Sequence, residues 1–290
     1  MTHDNNIDRV TGVATTGHVW DGDLKELNKP LPRWWLYTFY ATIVWGIGYC
    51  IAYPAWPTLT SYTTGVLGYN QRTAVTIDIA EGKADQKKYL TAIGETPLDD
   101  ISKHADLANF ARAGGAAVFG TNCSGCHGRA GQGAKGYPNL LDDDWLWGGT
   151  LADIQATIVG GIRSGHPEAR DFAMPRFGLD QILTPAEIGD AAEYVLTLSG
   201  KSTDAAAAKR GAEIFAAQCA ACHGESGTGN QAMGAPNLTD PIWLYGGEKA
   251  NVAETITTGR GGMMPSWDGR LDPATIKMLA VYVHGLGGGQ

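Results

Sequence analysis

The 290-residue chain is long enough for a membrane anchor and about two small domains, since a domain commonly has ~100–150 residues. Charged residues make up only 18% of it, and 30 acidic against 22 basic residues give a net charge of −8, which excludes a nucleic-acid partner because binding phosphate needs a basic surface. A framework of structural disulfides is excluded too, because four of the five cysteines lie in two Cys-x-x-Cys-His motifs.

A single membrane span is predicted near the N-terminus. The stretch from Trp34 to Gln71 contains no charged side chain, and Pro54 and Pro57 end its most apolar part. About 20 helical residues at ~1.5 Å each cover the ~30 Å of a bilayer's hydrocarbon core. A cleavable signal peptide is disfavoured because the apolar run begins only after residue 33. We therefore divide the start of the chain into an N-terminal segment (1–33), an anchor (34–56) and a connector (57–107).

The charges that flank the span predict its orientation. Lys25, Lys29 and Arg33 precede it, whereas the other side has no basic residue before Arg72. By the positive-inside rule, the N-terminus lies in the cytoplasm and the bulk of the chain lies outside. His3 and His18 are therefore expected on the cytoplasmic side, and the anchor in contact with membrane lipid.

After a polar, partly helical connector with predicted breaks at Gly82, Gly94 and Pro97, the sequence repeats itself. Seven landmarks recur in the same order, which indicates a duplicated domain in segments 108–200 and 201–290. Each copy begins and ends with a helix-like pattern, and prolines stand where the first turns of the closing helices belong. The landmarks are Gly115/Gly211, Phe119/Phe215, the two Cys-x-x-Cys-His motifs, Pro138/Pro236, Trp145/Trp243, Met174/Met264 and Tyr194/Tyr282.

The first helix of each copy carries a small residue at a position where another helix can approach. Gly115 and Gly211 each precede a phenylalanine by four residues, the spacing of one helix face. We expect a closing helix to pack closely at each glycine, with Tyr194 or Tyr282 at the contact.

The two Cys-x-x-Cys-His motifs predict covalent c-type haem. A thioredoxin-type dithiol needs a βαβ pattern, which the sequence lacks. A zinc site needs a second cysteine pair within roughly 15–20 residues, whereas the motifs begin at Cys123 and Cys219. We therefore expect two haem c groups per chain, bound through the thiols of Cys123 and Cys126, and of Cys219 and Cys222, with His127 and His223 as iron ligands.

The sixth iron ligand decides between electron transfer and catalysis at the iron. Met174 and Met264 each precede a proline at matching positions of the two copies. A thioether opposite histidine raises the reduction potential and leaves no vacancy for a substrate. This pattern predicts electron transfer. The repeat register disfavours Met263 as the ligand in place of Met264. We expect Met233 to pack in a loop. His166 is a rival ligand to Met174, but it has no counterpart in the second copy.

Other residues are expected to support these sites. The carbonyl groups of Pro138 and Pro236 are candidates to accept a hydrogen bond from the second ring nitrogen of each histidine. The rings of Trp145, Trp147, Trp243 and Trp267 are expected to wall the haems. The run Asp142–Asp144 forms either a solvated loop or part of a docking face for a basic electron donor.

The two haem segments resemble class I cytochromes c, and the whole chain resembles subunit III (CcoP/FixP) of cbb3-type cytochrome c oxidases, a membrane-anchored dihaem subunit. The fold class expected from this is all-α, with one N-terminal transmembrane helix followed by two tandem cytochrome c domains. The most specific stretch lies before the span and reads Thr16-Gly17-His18-Val19-Trp20-Asp21-Gly22, then Glu26-Leu27-Asn28-Lys29-Pro30-Leu31-Pro32-Arg33-Trp34-Trp35.

The resemblance implies a place in an electron-transfer chain. Such a subunit takes electrons from a soluble or membrane-bound cytochrome c and passes them to a monohaem subunit. They then reach the haem–copper subunit, which reduces oxygen to water and pumps protons. The resemblance also implies a bacterial inner membrane with the haem domains in the periplasm. It pairs the methionines crosswise, with Met264 at the first haem and Met174 at the second, whereas the residues alone suggest one per domain.

Two other functions compete with this one. An anchored dihaem carrier serving another respiratory or dehydrogenase complex would have the same haem domains, and only the stretch before the span disfavours it. A dihaem peroxidase would be an enzyme in its own right, but it needs an open iron position, which the matched methionines disfavour. We therefore expect no substrate chemistry on this chain.

Overall fold

The computed structural model describes residues 7–289, and the chain divides after Lys83 into two compact units. Residues 1–6, which include His3, lie outside the described residues, as does Gln290 at the end of the second predicted haem segment.

The first unit begins with a β-hairpin, which the sequence analysis did not predict. Its strands β1 (Thr15–Trp20) and β2 (Leu24–Leu27) are antiparallel. Asp21 and Gly22 in the turn both have a positive φ, 51° and 90°. Asp-Gly is favoured where a hairpin turn needs a positive φ at both central residues. The distinctive stretch before the span is therefore folded, and it adds a small sheet to an otherwise helical chain.

The predicted span is a single helix, α1 (Arg33–Ala52), and none of its 20 residues is buried. Among the described residues, it is the one helix long and apolar enough to cross a membrane. Apolar side chains are exposed all around it, an arrangement that lipid stabilises and water does not. Tyr53 is extended and Pro54 follows, so the helix ends where the sequence predicts.

The connector contains one long helix, α2 (Gln71–Glu95), which passes through Gly82 and Gly94. The predicted breaks at these two glycines are therefore wrong. A glycine costs a helix about 1 kcal/mol relative to alanine, which is too little to end a helix of 25 residues. The helix does end two residues before Pro97, because proline disfavours the helical conformation at the residue before it.

The second unit is built from helices joined by long glycine-rich loops. The closing helices α7 (Pro185–Leu198) and α11 (Pro273–His284) begin at the predicted prolines, and the side chains of Thr184 and Asp272 cap them. The helices of this unit after α2 are α3 (Leu98–Ile101), α4 (Ala105–Asn122), α5 (Ser124–His127), α6 (Leu151–Gly160), α7 (Pro185–Leu198), α8 (Ala205–Gln218), α9 (Ala220–His223), a 3-10 turn (Gln231–Met233), α10 (Lys249–Thr258) and α11 (Pro273–His284).

The two sequence repeats exchange their closing helices. Helix α7 of the first repeat packs on α8 of the second, and α11 of the second packs on α4 of the first. A Cβ atom added to Gly211 would lie 2.0 Å from the carbonyl oxygen of Asp190, and one added to Gly115 would lie 2.4 Å from that of Met278. Only glycine permits backbones this close, so the predicted close approach occurs at both positions.

A tyrosine packs at each of these helix contacts. The ring centroids of Tyr194 and Phe215 are 5.0 Å apart, and those of Tyr282 and Phe119 are 5.4 Å apart. Each tyrosine therefore contacts the repeat to which it does not belong in sequence. The predicted segments 108–200 and 201–290 are interlocked through this exchange, and their outer boundaries stay a prediction.

Candidate haem-binding sites

Each Cys-x-x-Cys-His motif lies at the junction of a long helix and a short one. The amides of Cys126 and His127 donate hydrogen bonds of 3.1 and 3.0 Å to the carbonyl oxygen of Cys123. The second motif has the same geometry, with 3.1 and 3.0 Å from Cys222 and His223 to Cys219. One helical turn therefore brings two thiols and an imidazole together, as attachment to one rigid ring requires.

The two histidines are held by the proline carbonyl groups proposed from the sequence. Nδ1 of His127 lies 3.0 Å from the carbonyl oxygen of Pro138, and Nδ1 of His223 lies 3.1 Å from that of Pro236. A carbonyl oxygen only accepts, so Nδ1 carries the proton and Nε2 can bind a metal. Burial lowers the pKa of His223, which favours the neutral ring that a metal needs.

The thiols do not have the character of a redox dithiol. Burial raises the pKa of Cys123 and of Cys219 to about 11, whereas reactive dithiols have a lowered pKa. This difference disfavours the dithiol interpretation.

A cavity of about 770 Å³ opens beside Cys219, Cys222 and His223. This volume is within the ~300–1,000 Å³ of small-molecule sites. Trp243 lines the cavity, and its indole Nε1 is buried without a hydrogen-bond partner among the described residues. A bound group with an acceptor, such as a haem carboxylate, would satisfy that N–H. The residues of the second site therefore fit a haem.

Met174 belongs to the first repeat but lies in the wall of this second cavity. The amides of Gly178 and Leu179 both donate hydrogen bonds of 3.1 Å to the carbonyl oxygen of Thr257, which anchors the methionine loop at the end of α10. Met233 lines the same cavity, in the loop that carries Pro236.

The first site is completed by the matching loop of the second repeat. Met264 and Ile162 exchange backbone hydrogen bonds of 2.9 and 3.0 Å, which hold Met264 at the end of α6. Met264 packs in the same apolar cluster as Cys123 and Trp145. The neighbouring Met263 is 73% exposed. The structure therefore brings Met264 to the first motif and Met174 to the second.

The rival ligand His166 is engaged elsewhere. Its Nδ1 accepts a hydrogen bond of 3.1 Å from the amide of Glu168, and its Nε2 lies 3.4 Å from the carboxylate of Asp268. Both ring nitrogens have partners, which disfavours a bis-histidine iron.

The four tryptophans divide between the sites and the contact of the two repeats. Trp145 and Trp267 pack in the cluster of the first site, and Trp243 lines the second cavity. Trp147 is buried where the repeats meet, against Gly234.

The acidic run is only partly solvated. Asp143 is exposed, whereas Asp142 and Asp144 line the second cavity. Burial, followed by the neighbouring charge of Asp240, raises the pKa of Asp144 to about 6. A docking face that includes Asp144 would therefore lose part of its negative charge as the pH falls toward 6.

Glu193 on α7 was missed by the sequence analysis. Its side chain is completely buried, 2.7 Å from Nζ of Lys249 on α10. The hydroxyl of Ser202 donates to it at 2.6 Å. A signal was present in the repeat alignment, because the equivalent position in the second copy is Val281 and a charged residue therefore replaces an apolar one.

Comparison with known proteins finds matches along nearly the whole chain. Residues 12–60 match the N-terminal domain of the FixP subunit of cytochrome oxidase cbb3, residues 113–199 match cytochrome c, and residues 206–283 match subunit III of cbb3-type cytochrome c oxidase. The hairpin and the span belong to the first match, and the two haem motifs to the other two.

Full-length relatives agree with these matches. A cbb3-type cytochrome c oxidase subunit FixP from Azorhizobium caulinodans is 57% identical over 290 residues, covering 100% of this chain and 98% of the relative. One from a Bradyrhizobium species is 55% identical and covers 100% of both chains. A subunit CcoP from Cereibacter sphaeroides is 53% identical over 95% of both. With this identity over its full length, and with both Cys-x-x-Cys-His motifs inside the two cytochrome matches, the chain belongs to the FixP/CcoP family of cbb3-type cytochrome c oxidase subunits.

Proposed function

We propose that this chain is the dihaem electron-transfer subunit of a cbb3-type oxidase. It would accept electrons from a donor cytochrome c and deliver them to a monohaem subunit, which serves the haem–copper subunit that reduces oxygen and pumps protons. The observation that carries the proposal is the pair of equivalent sites, each with two thiols, a carbonyl-held histidine and a methionine loop. Haem c bound at each site would supply a one-electron iron couple.

The ligand sets that we propose are crosswise. His127 and Met264 would bind the first iron, and His223 and Met174 the second. Support comes from the loops, because each methionine is held at the end of the helix, α6 or α10, that belongs to the opposite repeat. The thiols of Cys123, Cys126, Cys219 and Cys222 would hold the two haems covalently.

The chain's own residues favour electron transfer over substrate chemistry. Met174 and Met264 would each complete the ligand set of an iron held by His223 or His127, which would leave no iron position for a substrate. The carbonyl groups of Pro138 and Pro236 fix the orientation of each imidazole. We therefore expect the chain itself to perform no catalysis, and oxygen reduction to belong to its partner subunit.

We propose a single-pass topology in a bacterial inner membrane. Helix α1 would span the bilayer in contact with lipid, with the hairpin in the cytoplasm and both haem sites in the periplasm. The basic residues before the span, and their absence between α1 and Arg72, support this orientation.

The first test is a pyridine haemochrome assay, with a mass determination, on protein purified from membranes together with whatever remains bound to it. Two covalent c-type haems per chain plus b-type haem from a partner are expected. Two c-type haems without a b-type partner would favour an anchored carrier of another complex. A chain without covalent haem would contradict the proposal.

A further inference from the structure

The exchange of closing helices raises the question of what selects it. The repeats share their landmarks, so α7 could in principle close on its own first repeat, and α11 on the second. Three polar contacts exist in the exchanged arrangement and have no equivalent in the alternative.

The first contact is the ion pair between the buried carboxylate of Glu193 and the half-exposed ammonium of Lys249, 2.7 Å apart. Aligning the repeats places Val281 at the position of Glu193 and Leu151 at that of Lys249. Val281 is buried in an apolar cluster against which Leu151 packs. Without exchange, the carboxylate of Glu193 would be buried against Leu151, and Lys249 would face Val281. An unpaired buried charge is strongly unfavourable.

The second contact is between Asp190 of α7 and Arg210 of α8, with 2.7 Å between Oδ2 and Nε. Their counterparts in the other repeat are Met278 and Gly114, and a Cβ atom on Gly114 would lie 2.9 Å from the sulfur of Met278. Without exchange, Met278 would meet the long side chain of Arg210 where it now meets a glycine. Asp190 would lose its cation.

The third contact ties α11 to the end of α2. Nζ of Lys277 donates to the carbonyl oxygens of Ile93, Gly94 and Thr96 at 3.2, 2.8 and 2.7 Å. These groups lie at a helix C-terminus, where a cation is favoured. The residue of α7 equivalent to Lys277 is Gly189, which has no side chain to replace it.

We infer that Glu193 and Lys249, together with Asp190, Arg210 and Lys277, are positioning residues that select the exchanged arrangement and thereby determine which methionine reaches which haem site. An ion pair with a buried carboxylate adds little net stability compared with a well-packed apolar pair, but it penalises every arrangement that leaves the carboxylate buried without its cation. Each methionine loop precedes the helix that is being selected, so the pairing of helices sets the pairing of ligands. The consequence for the irons rests on the proposed function, whereas the pairing of helices does not.

The test is a pair of matched variants of the full-length protein in its membrane complex. The helix-swap variant combines Glu193→Val with Val281→Glu, so that only the exchanged arrangement buries an unpaired carboxylate. The rescue variant adds Leu151→Lys and Lys249→Leu, which returns an oppositely charged partner to the new glutamate. A photo-crosslinking residue in place of Tyr194 reports the arrangement, since Tyr194 contacts α8 when the helices are exchanged and would contact α4 otherwise.

In the parent protein we expect crosslinks to peptides of α8. In the helix-swap variant, the ratio of α8 to α4 crosslinks, or the yield of haem-loaded protein, should fall by at least about tenfold, because a buried carboxylate is left without its cation. The rescue variant should recover most of that loss. Unchanged crosslinks and yield in the helix-swap variant would overturn the inference. A rescue variant with the same crosslink ratio and the same yield as the helix-swap variant would also overturn the inference. The ion pair would then not select between the two arrangements of the helices. The haem count of the parent protein tests the proposed function separately.

Discussion

Met263 and Met264 are adjacent, yet only Met264 packs against the first haem motif, while the side chain of Met263 is 73% exposed. Met264→Ala should lower the midpoint potential of the haem bound at Cys123 by about 0.1 V or more, within the ~0.8 V range that axial ligands span, because the thioether stabilises ferrous iron. Redox titration of the purified complex measures this change.

The control is Met263→Ala, which should leave both potentials unchanged. Both haems should remain attached in both variants, because the cysteines hold them. An unaltered first potential in Met264→Ala, or a shift of the second haem instead, would contradict the crosswise ligand sets.

Glu193 gives the stability of the protein a pH dependence. Hydrogen bonds from Lys249 and Ser202, with two amides, hold the pKa of its carboxyl at about 2, below the ordinary 4.5. A lowered pKa stabilises the fold fully above about pH 4.5, and this contribution is lost as the pH falls toward 2. Glu193→Gln should therefore destabilise the protein at neutral pH and show a smaller further loss on acidification.

Chemical unfolding at several pH values, followed by circular dichroism, measures this difference. Lys249, and Asp204, whose amide donates a hydrogen bond to Glu193, are charged residues in contact with it, and they are the same in both proteins. The exposed Glu213 on α8 provides the control, since Glu213→Gln should parallel the parent at every pH. Parallel curves for Glu193→Gln and the parent would be inconsistent with the buried pair.

At the scale of helices, the crossings at Gly115 and Gly211 depend on the missing side chain. Gly115→Ala should cost about 1–3 kcal/mol of unfolding free energy, because the added Cβ meets the backbone of α11, which cannot move away easily. Gly120 lies in the same helix α4 with open space around its Cα. Gly120→Ala should therefore leave stability unchanged or raise it by ~0.5–1 kcal/mol. Denaturant titration of both variants tests the contrast, and equal effects would show that α4 and α11 are not in close contact.

The elements that follow a strong local signal were predictable from the sequence. The span α1 follows from its uncharged run, and helices α7 and α11 from prolines at their first turns. The hairpin was missed because Asp21-Gly22 was not interpreted as a turn signal. The continuity of α2 was missed because a glycine was given more weight than its helix penalty deserves.

The exchange of helices could not be predicted from spacing. Both repeats carry the same glycine, phenylalanine and tyrosine, so either closing helix satisfies either crossing. The discriminating signal is the difference between the copies, with Glu193 against Val281 and Arg210 against Gly114. This difference between the copies can be interpreted only when the contacts of these residues are known.

At the scale of the whole molecule, the proposed topology predicts different accessibility on the two sides of the membrane. Protease added to spheroplasts should digest the haem segments and leave an epitope tag at the N-terminus intact. Inside-out vesicles should give the reverse pattern. Both compartments are compared on the same full-length chain, so each preparation controls the other. Digestion of the tag in intact spheroplasts would contradict the orientation.

The interlocking of the two repeats also constrains biosynthesis. The Cys123 motif is synthesised before the Cys219 motif, but Met264 and α11, which pack at its site, are synthesised after both motifs. The later motif at Cys219 is closed by α7, which already exists when that motif emerges. The site that is made first is therefore finished last, and a nonsense codon just before Met264 would remove the closure of the Cys123 site while keeping α7 and α10, which pack around Cys219.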